Sequence, residues 1–406
     1  MRTARWRGSM IVWSRGTVVG ITGENGSVQE VEVLADDGSG TRKAIHYTDV
    51  RPSLRLGDHV VLNVTAEELG LDGGVGFVHD VLPASDALQM TSGGTDKEPD
   101  VQTEDDSGGT RLSGYAVSSG QRGHIVKLRF TAAQRAVLSV EEKSSPHHDV
   151  FAEPRGLDGM PVLIGELHSM LPVAAAWLRG AETKRPLRLS YVMTDGAALP
   201  LAYSRHAARL RREGFLDGMV TCGHAYGGEL EAVNVYTALL AARHIQRADI
   251  VIAAMGPGIV GTGTPFGHTG TELAELIHAA AALGGVPIAI ARVSFADTRE
   301  RHIGISHHSL ETLGKLTLVR STVALPAGLP EPQEALLRRQ WEASGCAERH
   351  ELVWEPAAGP AEAERRLAAY REPVTTMGRG LRDDPAFFCS VCAAAQQALS
   401  RHRPRE

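Results

Sequence analysis

At 406 residues, with 43% hydrophobic and 22% charged residues, the chain is too long for one ordinary core and has the composition of a two-domain globular protein. Its net charge of −6 supplies no whole-chain attraction to nucleic acid or to an anionic membrane, so neither is favoured as a partner. No apolar run of about 18 residues is present, and four cysteines are too few for a disulfide framework, so a cytoplasmic chain with reduced thiols is expected.

Residues 10–84 carry short alternating runs, "MIVWSRGTVVGIT", "VQEVEVLA", "RKAIHYTDV" and "DHVVLNVT", separated by Asn-Gly and Asp-Gly turn chemistry. That pattern predicts a small β-barrel or β-sandwich, of the OB or SH3-like kind. Residues 85–122 are Ser, Gly, Thr, Asp and Glu with almost no aromatics, which predicts a flexible acidic linker unable to offset its own ordering entropy. A strand and a helix are then expected in "GHIVKLRFTAAQRAVLSVEE".

Residues 123–330 form the predicted α/β domain. Within them, from Leu157 onward, apolar runs alternate with helical patterns: "MPVLIGEL" then "LPVAAAWLRG", "RLSYVMTD" then "RHAARLRREG", "ADIVIAAM" then "TELAELIHAAAALGG", and finally "VPIAIARVSF". Strand following helix following strand predicts a mostly parallel sheet with flanking helices, whose ligands bind beyond the carboxyl ends of the strands. Residues 331–406 read as a helical C-terminal region with a basic end. Its Cys389 and Cys392 read as helix cysteines rather than as redox or metal chemistry.

Each predicted strand is followed by a loop of reactive residues. "VLIGEL" leads to His168, "SYVMT" to Asp195, and "MVTCGH" to His224 and Glu229, the latter in the first turn of a helix "ELEAVNVYTALLAARHI". "PIAIARVSF" leads to Asp297, Arg299, Arg301 and His302, with Ser306, His307 and His308 behind them. Neutral imidazoles and carboxylates are the ligands of Zn, Mn or Fe, so His168, His224, His307 and His308 are candidate metal ligands. Asp195, Glu229, Asp297 and His302 are candidate acids and bases. Ser169, Ser306 and Cys222 lie near histidines, but none sits in a nucleophile elbow.

"GPGIVGTGTPFGHTG" lies between a strand and a helix, where backbone amides can hold an anion. Gly256, Gly258, Gly261, Thr262, Gly263 and Thr264 are its candidate binding residues, with Arg299 and Arg301 as bidentate clamps unless Asp297 or Glu300 takes them up. Gly256, Gly258 and Gly261 spell G-x-G-x-x-G. The following helix starts too late and no acid sits at the ribose-binding distance, so NAD is disfavoured. Close packing at an interface is the other use for such a loop.

The blocks "YVMTDGAALPLAYS", "TCGHAYGGELEAVNVYTALLAA", "ADIVIAAMGPGIVGTGTPFGHTG" and "RVSFADTRERHIGISHHS" together resemble an uncharacterised bacterial family, known as a domain of unknown function. The resemblance runs from "GTVVGI" to "MGRGLRDDPAFFC" and implies a shared two-part architecture, with no activity to carry over. From the residues alone the expectation is a metal-assisted hydrolase acting on a small anionic molecule, in a homo-oligomer. A non-catalytic nucleotide or phosphometabolite sensor and a structural assembly protein are the alternatives. The enzymatic expectation requires the strand-end loops to share one cavity.

Overall fold

The computed structural model describes residues 11–71, 74–82, 123–183 and 185–403; the predicted linker 85–122 lies outside the described residues. The chain divides into two compact units, with the boundary between Leu138 and Ser139.

The first unit is a closed barrel of strands β1 (Trp13–Asn25), β2 (Val28–Ala35), β3 (Thr41–Tyr47), β4 (His59–Asn63) and β5 (Gly76–Val81), in the order β1-β2-β3-β5-β4. Strict alternation fills it: Val18, Val31, Val33, Ala44, Val60 and Leu62 point inward and are buried. β1 pairs with both β2 and β4, and a strand that closes a barrel must coil. Gly16 permits this, because any Cβ there would collide with the Leu34 carbonyl, and register shifts after Val18 and Ile21 add the bend.

The segment 123–138 belongs to this unit and holds no helix. β6 (Ile125–Lys127) pairs antiparallel with β7 (Arg135–Val137). The chain reverses at Leu128, whose φ of 52° is left-handed, and the Thr131 hydroxyl donates to the Leu128 carbonyl at 2.9 Å. The expected helix is thus replaced by a hairpin that turn chemistry starts. The amide of Asn63 anchors it through the carbonyls of Ala132 (2.9 Å) and Gln134 (2.8 Å).

The second unit is an eight-stranded sheet in the order β11-β10-β9-β12-β8-β13-β16-β17, and every pairing within it is parallel. The strands are β8 (Pro161–Gly165), β9 (Leu189–Thr194), β10 (Gly218–Cys222), β11 (Leu230–Ala232), β12 (Ile250–Met255), β13 (Val286–Ala289), β16 (Thr322–Pro326) and β17 (Glu351–Glu355), with a two-stranded β14 (Val293–Ser294)–β15 (Gly304–Ile305) ribbon beside them. β17 falls in the stretch whose composition reads as helical, and it forms one edge of the sheet. β11, at the other edge, replaces the first turn of the helix expected after His224; that helix begins at Val235.

Alternation divides the core in two. Leu163, Tyr191, Met193, Ile252 and Ile288 face one layer, which contains the helix Met170–Arg179 and the helix Pro385–Arg401. Val162, Ile164, Val192, Ala253 and Ala289 face the other, which contains the helix Glu272–Ala282. Neighbouring strands β8 and β12 therefore send their following helices to opposite faces of the sheet. Such a reversal opens a crevice at the carboxyl ends of the two strands, and here the chain places Glu166 and the glycine loop. Among the described residues no helix is long and apolar enough to cross a membrane.

Candidate functional site

The ribbon β14–β15 and the short helix His307–Glu311 bring His302, His307 and His308 together: one ligand nitrogen from each lies within 4.8 Å of the others. Among the described residues this is the group with metal-ligand geometry. The backbone reason is local. Ser306 caps the helix, its hydroxyl accepting from the His308 amide at 3.3 Å while contacting His302 Nδ1 at 2.8 Å. One serine thus caps the His308 backbone and holds the His302 ring, and Nε2 is the nitrogen that His302 has left for a ligand.

A fourth imidazole closes the group from the glycine loop. His268 stacks on His308 with ring centroids 3.9 Å apart and planes at 6°. Gly261 permits the approach, since a Cβ there would stand 3.0 Å from the His308 ring. Among the described residues, His268 Nδ1, His307 Nε2 and His308 Nδ1 are buried without a hydrogen-bond partner. Burial lowers the pKa of all four rings, helped at His302 and His308 by Arg292 and at His268's neighbours by one another. His302 falls to about 3 and His308 to about 2, so the rings are neutral at physiological pH and can ligate.

Beneath them lies a ladder of charges, of which the sequence alone points to Asp297. Glu166, the residue after β8, is fully enclosed; its Oε2 accepts from the Ser309 hydroxyl at 3.2 Å, while Oε1 has no hydrogen-bond partner and lies 3.9 Å from Arg292 Nη1. Burial raises this carboxyl to about 6, partly offset by Arg292. Arg292 also approaches Asp297 at 3.4 Å, Arg379 joins Asp297 (3.2 Å) to Asp384 (3.1 Å), and the Ser294 hydroxyl donates to Asp384 at 2.6 Å. A charged residue inside an otherwise apolar run, as in "VLIGEL" and "IAIARVSF", is the signal that could have found Glu166 and Arg292.

Asp297 is held by Arg299 through two bonds of 2.9 and 2.8 Å, which keep its carboxyl well below the usual range; it is a fixed anion and not a base. Arg299 is therefore an ion-pair partner, whereas Arg301 is exposed, has no carboxylate partner among the described residues, and lies 3.6 Å from where a Gly263 Cβ would stand. Glu229 pairs with Arg211. Asp195 packs over Gly223, beside His224, and His224 is outside the ligand group. His168 is also outside it: its Nε2 meets the Ser204 hydroxyl at 2.7 Å and its Nδ1 lies 3.4 Å from the Tyr191 hydroxyl, in the layer opposite the cluster. Among the described residues neither His168 nor His224 belongs to the ligand group with His302; His307, His308 and the stacked His268 are its neighbours instead.

The glycine loop is a small hairpin. The Thr262 amide donates to the Gly267 carbonyl (2.8 Å), the Thr269 amide to the Val260 carbonyl (2.9 Å), and the Gly267 amide to the Thr264 hydroxyl (3.1 Å). Those groups are spent within the loop and are not offered to an anion. Gly258 and Gly263 have φ of 116° and 80°, which only glycine adopts readily, and Gly256 is buried against Met193. Glu272, in the first turn of the following helix, is raised to about 7 by burial, with Thr194 opposing and Glu275 and Asp195 adding to it. Cys389 and Cys392 are buried in the helix Pro385–Arg401, where burial pushes the Cys389 thiol up to about 12.

A family described as protein of unknown function (DUF3866) matches residues 43–395. No curated protein matches the chain.

Proposed function

The chain belongs to the DUF3866 family, and from the site itself we propose that it is a metal-assisted hydrolase acting on a small anionic substrate. The observation that carries this reading is the convergence of three neutral imidazoles, His302, His307 and His308, with ligand atoms all within 4.8 Å. His302, His307 and His308 would hold a divalent Zn, Mn or Fe ion, which would supply Lewis acidity to a scissile carbonyl or phosphoryl group. Ser306 orients His302, and Arg301 at the rim receives the negative charge of the substrate. Asp297, locked to Arg299, is unsuited to take a proton. The Thr262, Gly267 and Thr269 amides are bonded within the glycine loop, which weighs against its use as a nucleotide cradle. The four cysteines are buried and none is in a disulfide, which supports a cytoplasmic setting.

The test is metal content and turnover of the untagged full chain after chelator dialysis and reloading with zinc or manganese. Chromogenic phosphate and carboxylate esters serve as substrates. Metal should be retained by the wild type and lost in His307→Ala and His302→Ala, with turnover following the metal. A folded wild-type chain that retains no metal overturns the proposal.

A further inference from the structure

Beside the three-histidine group stand two lone-pair donors that it does not use. His268 Nε2 lies 3.2 Å from the Pro265 carbonyl, and because a carbonyl only accepts, Nε2 must carry the proton. Nδ1 of the same neutral ring is then a bare acceptor, buried and without a partner, in a residue only 6% exposed. Imidazoles that bind metals are held in this way, with the far nitrogen tied to a backbone oxygen.

The second group is Glu166. A carboxylate has about four acceptor sites, and this one, 1% exposed, receives a single hydrogen bond among the described residues, from Ser309. Arg292 does not complete it: at 3.9 Å from Oε1 it is beyond hydrogen-bond reach, and its other nitrogen turns to Asp297. Gly270 brings the two together. A Cβ built there would stand 3.0 Å from His268 Nδ1 and 3.6 Å from Glu166 Oε2, so both atoms border one small space that the missing side chain leaves. Through the stacked His308 ring that space adjoins the first ligand group.

We propose that Glu166 and His268 hold a second divalent cation, next to the one assigned to His302, His307 and His308, so that the site is dinuclear. The proposal rests on the metal reading above. It also narrows the substrate class, because two adjacent cations clamp both the attacked and the leaving oxygens of a phosphoryl or acyl group. Glu166 Oε2, whose one donor among the described residues is Ser309, and the bare Nδ1 of His268 border the same space, an arrangement a cation resolves and a hydrophobic packing role does not.

The experiment is the zinc stoichiometry of the untagged full chain. It is measured by elemental mass spectrometry after desalting and by calorimetric titration with zinc alone. Two ions per chain are expected for the wild type, and one for Glu166→Gln, His268→Asn and Gly270→Ala; the last fills the shared space without removing a ligand. In each variant the weaker binding step should be lost or weakened at least about tenfold, with the tighter step unchanged. One ion in the wild type, or two ions in both Glu166→Gln and His268→Asn, overturns the second cation and leaves the first standing. No ion in the wild type overturns both.

Discussion

Two groups of enclosed imidazoles sit over opposite faces of the same sheet, and they differ in how far their hydrogen-bonding capacity is met. His168 has Ser204 at one nitrogen and Tyr191 at the other, and its neighbour His206 has the Tyr370 hydroxyl at 2.8 Å. His268, His307 and His308 each keep a buried nitrogen without a partner among the described residues. Both groups have depressed pKa values for the same first reason, burial, and His168 is brought down to about 4. Perturbation alone therefore does not separate scaffold from site. Satisfaction does: a ring whose two nitrogens are both engaged is a structural polar residue, while a ring with an unspent lone pair is waiting for a ligand.

The comparison breaks most visibly with metal. Zinc at about a thousandfold excess over its Kd should stabilise the chain by about 4 kcal/mol in urea unfolding, an effect absent from His307→Ala and His308→Ala and retained in His168→Ala. A His168→Ala chain that no longer responds to zinc would place His168 in the site and erase the distinction. In metal-free protein the order reverses. Removing His168 breaks a met hydrogen bond to Ser204 and opens a cavity, which costs about 3 kcal/mol. His307, half-buried and unpartnered at Nε2, should be replaceable by alanine at a fraction of that. Equal losses in the two variants would show that His307 is as firmly held as His168.

What was legible in the sequence follows from range. The parallel sheet could be read because β8, β9 and β12 are continuous apolar runs, each followed by a helical pattern within a few residues. The closeness of His302, His307 and His308 could be read because they lie within seven positions of one another, although the pattern pointed to His302 as an acid or base and to only His307 and His308 of the three as ligands. His168 and His224 were drawn into the same site by a rule about strand ends, and that rule does not say over which face a residue after the strand will turn. The glycine loop could be located but not folded: a hairpin that spends the Thr262 and Gly267 amides internally looks, as a string, like a loop that offers them. Arg379 and Asp384 meet Asp297 and Ser294 across 82 and 90 positions, beyond any local pattern. Glu166 was passed over because one acid in "VLIGEL" reads as the end of a strand, whereas burial makes it the most consequential charge there.

That charge gives the finest test of the comparison, because its pH dependence runs opposite to that of the imidazoles. The Glu166 carboxyl is raised from 4.5 to about 6, so the folded chain binds this proton more readily than the unfolded one. Stability therefore falls as pH rises from about 4.5 to 6, and the deficit persists above that range. For His302 and His308 the folded values of about 3 and about 2 lie below 6.5, so the unfolded chain binds their protons first and stability is lost as pH falls below 6.5. Without metal, Glu166→Gln should be more stable than wild type at pH 7.5 by about 2 kcal/mol, 1.5 pH units at 1.36 kcal/mol each. The gain should vanish below pH 4.5, where the wild-type carboxyl is protonated in both states. With zinc present the sign should reverse, since the variant then lacks a ligand that the wild type has. A Glu166→Gln chain no more stable than wild type at pH 7.5 would mean that the carboxylate is already adequately compensated by Arg292 and Ser309, and that it belongs with His168 among the satisfied groups.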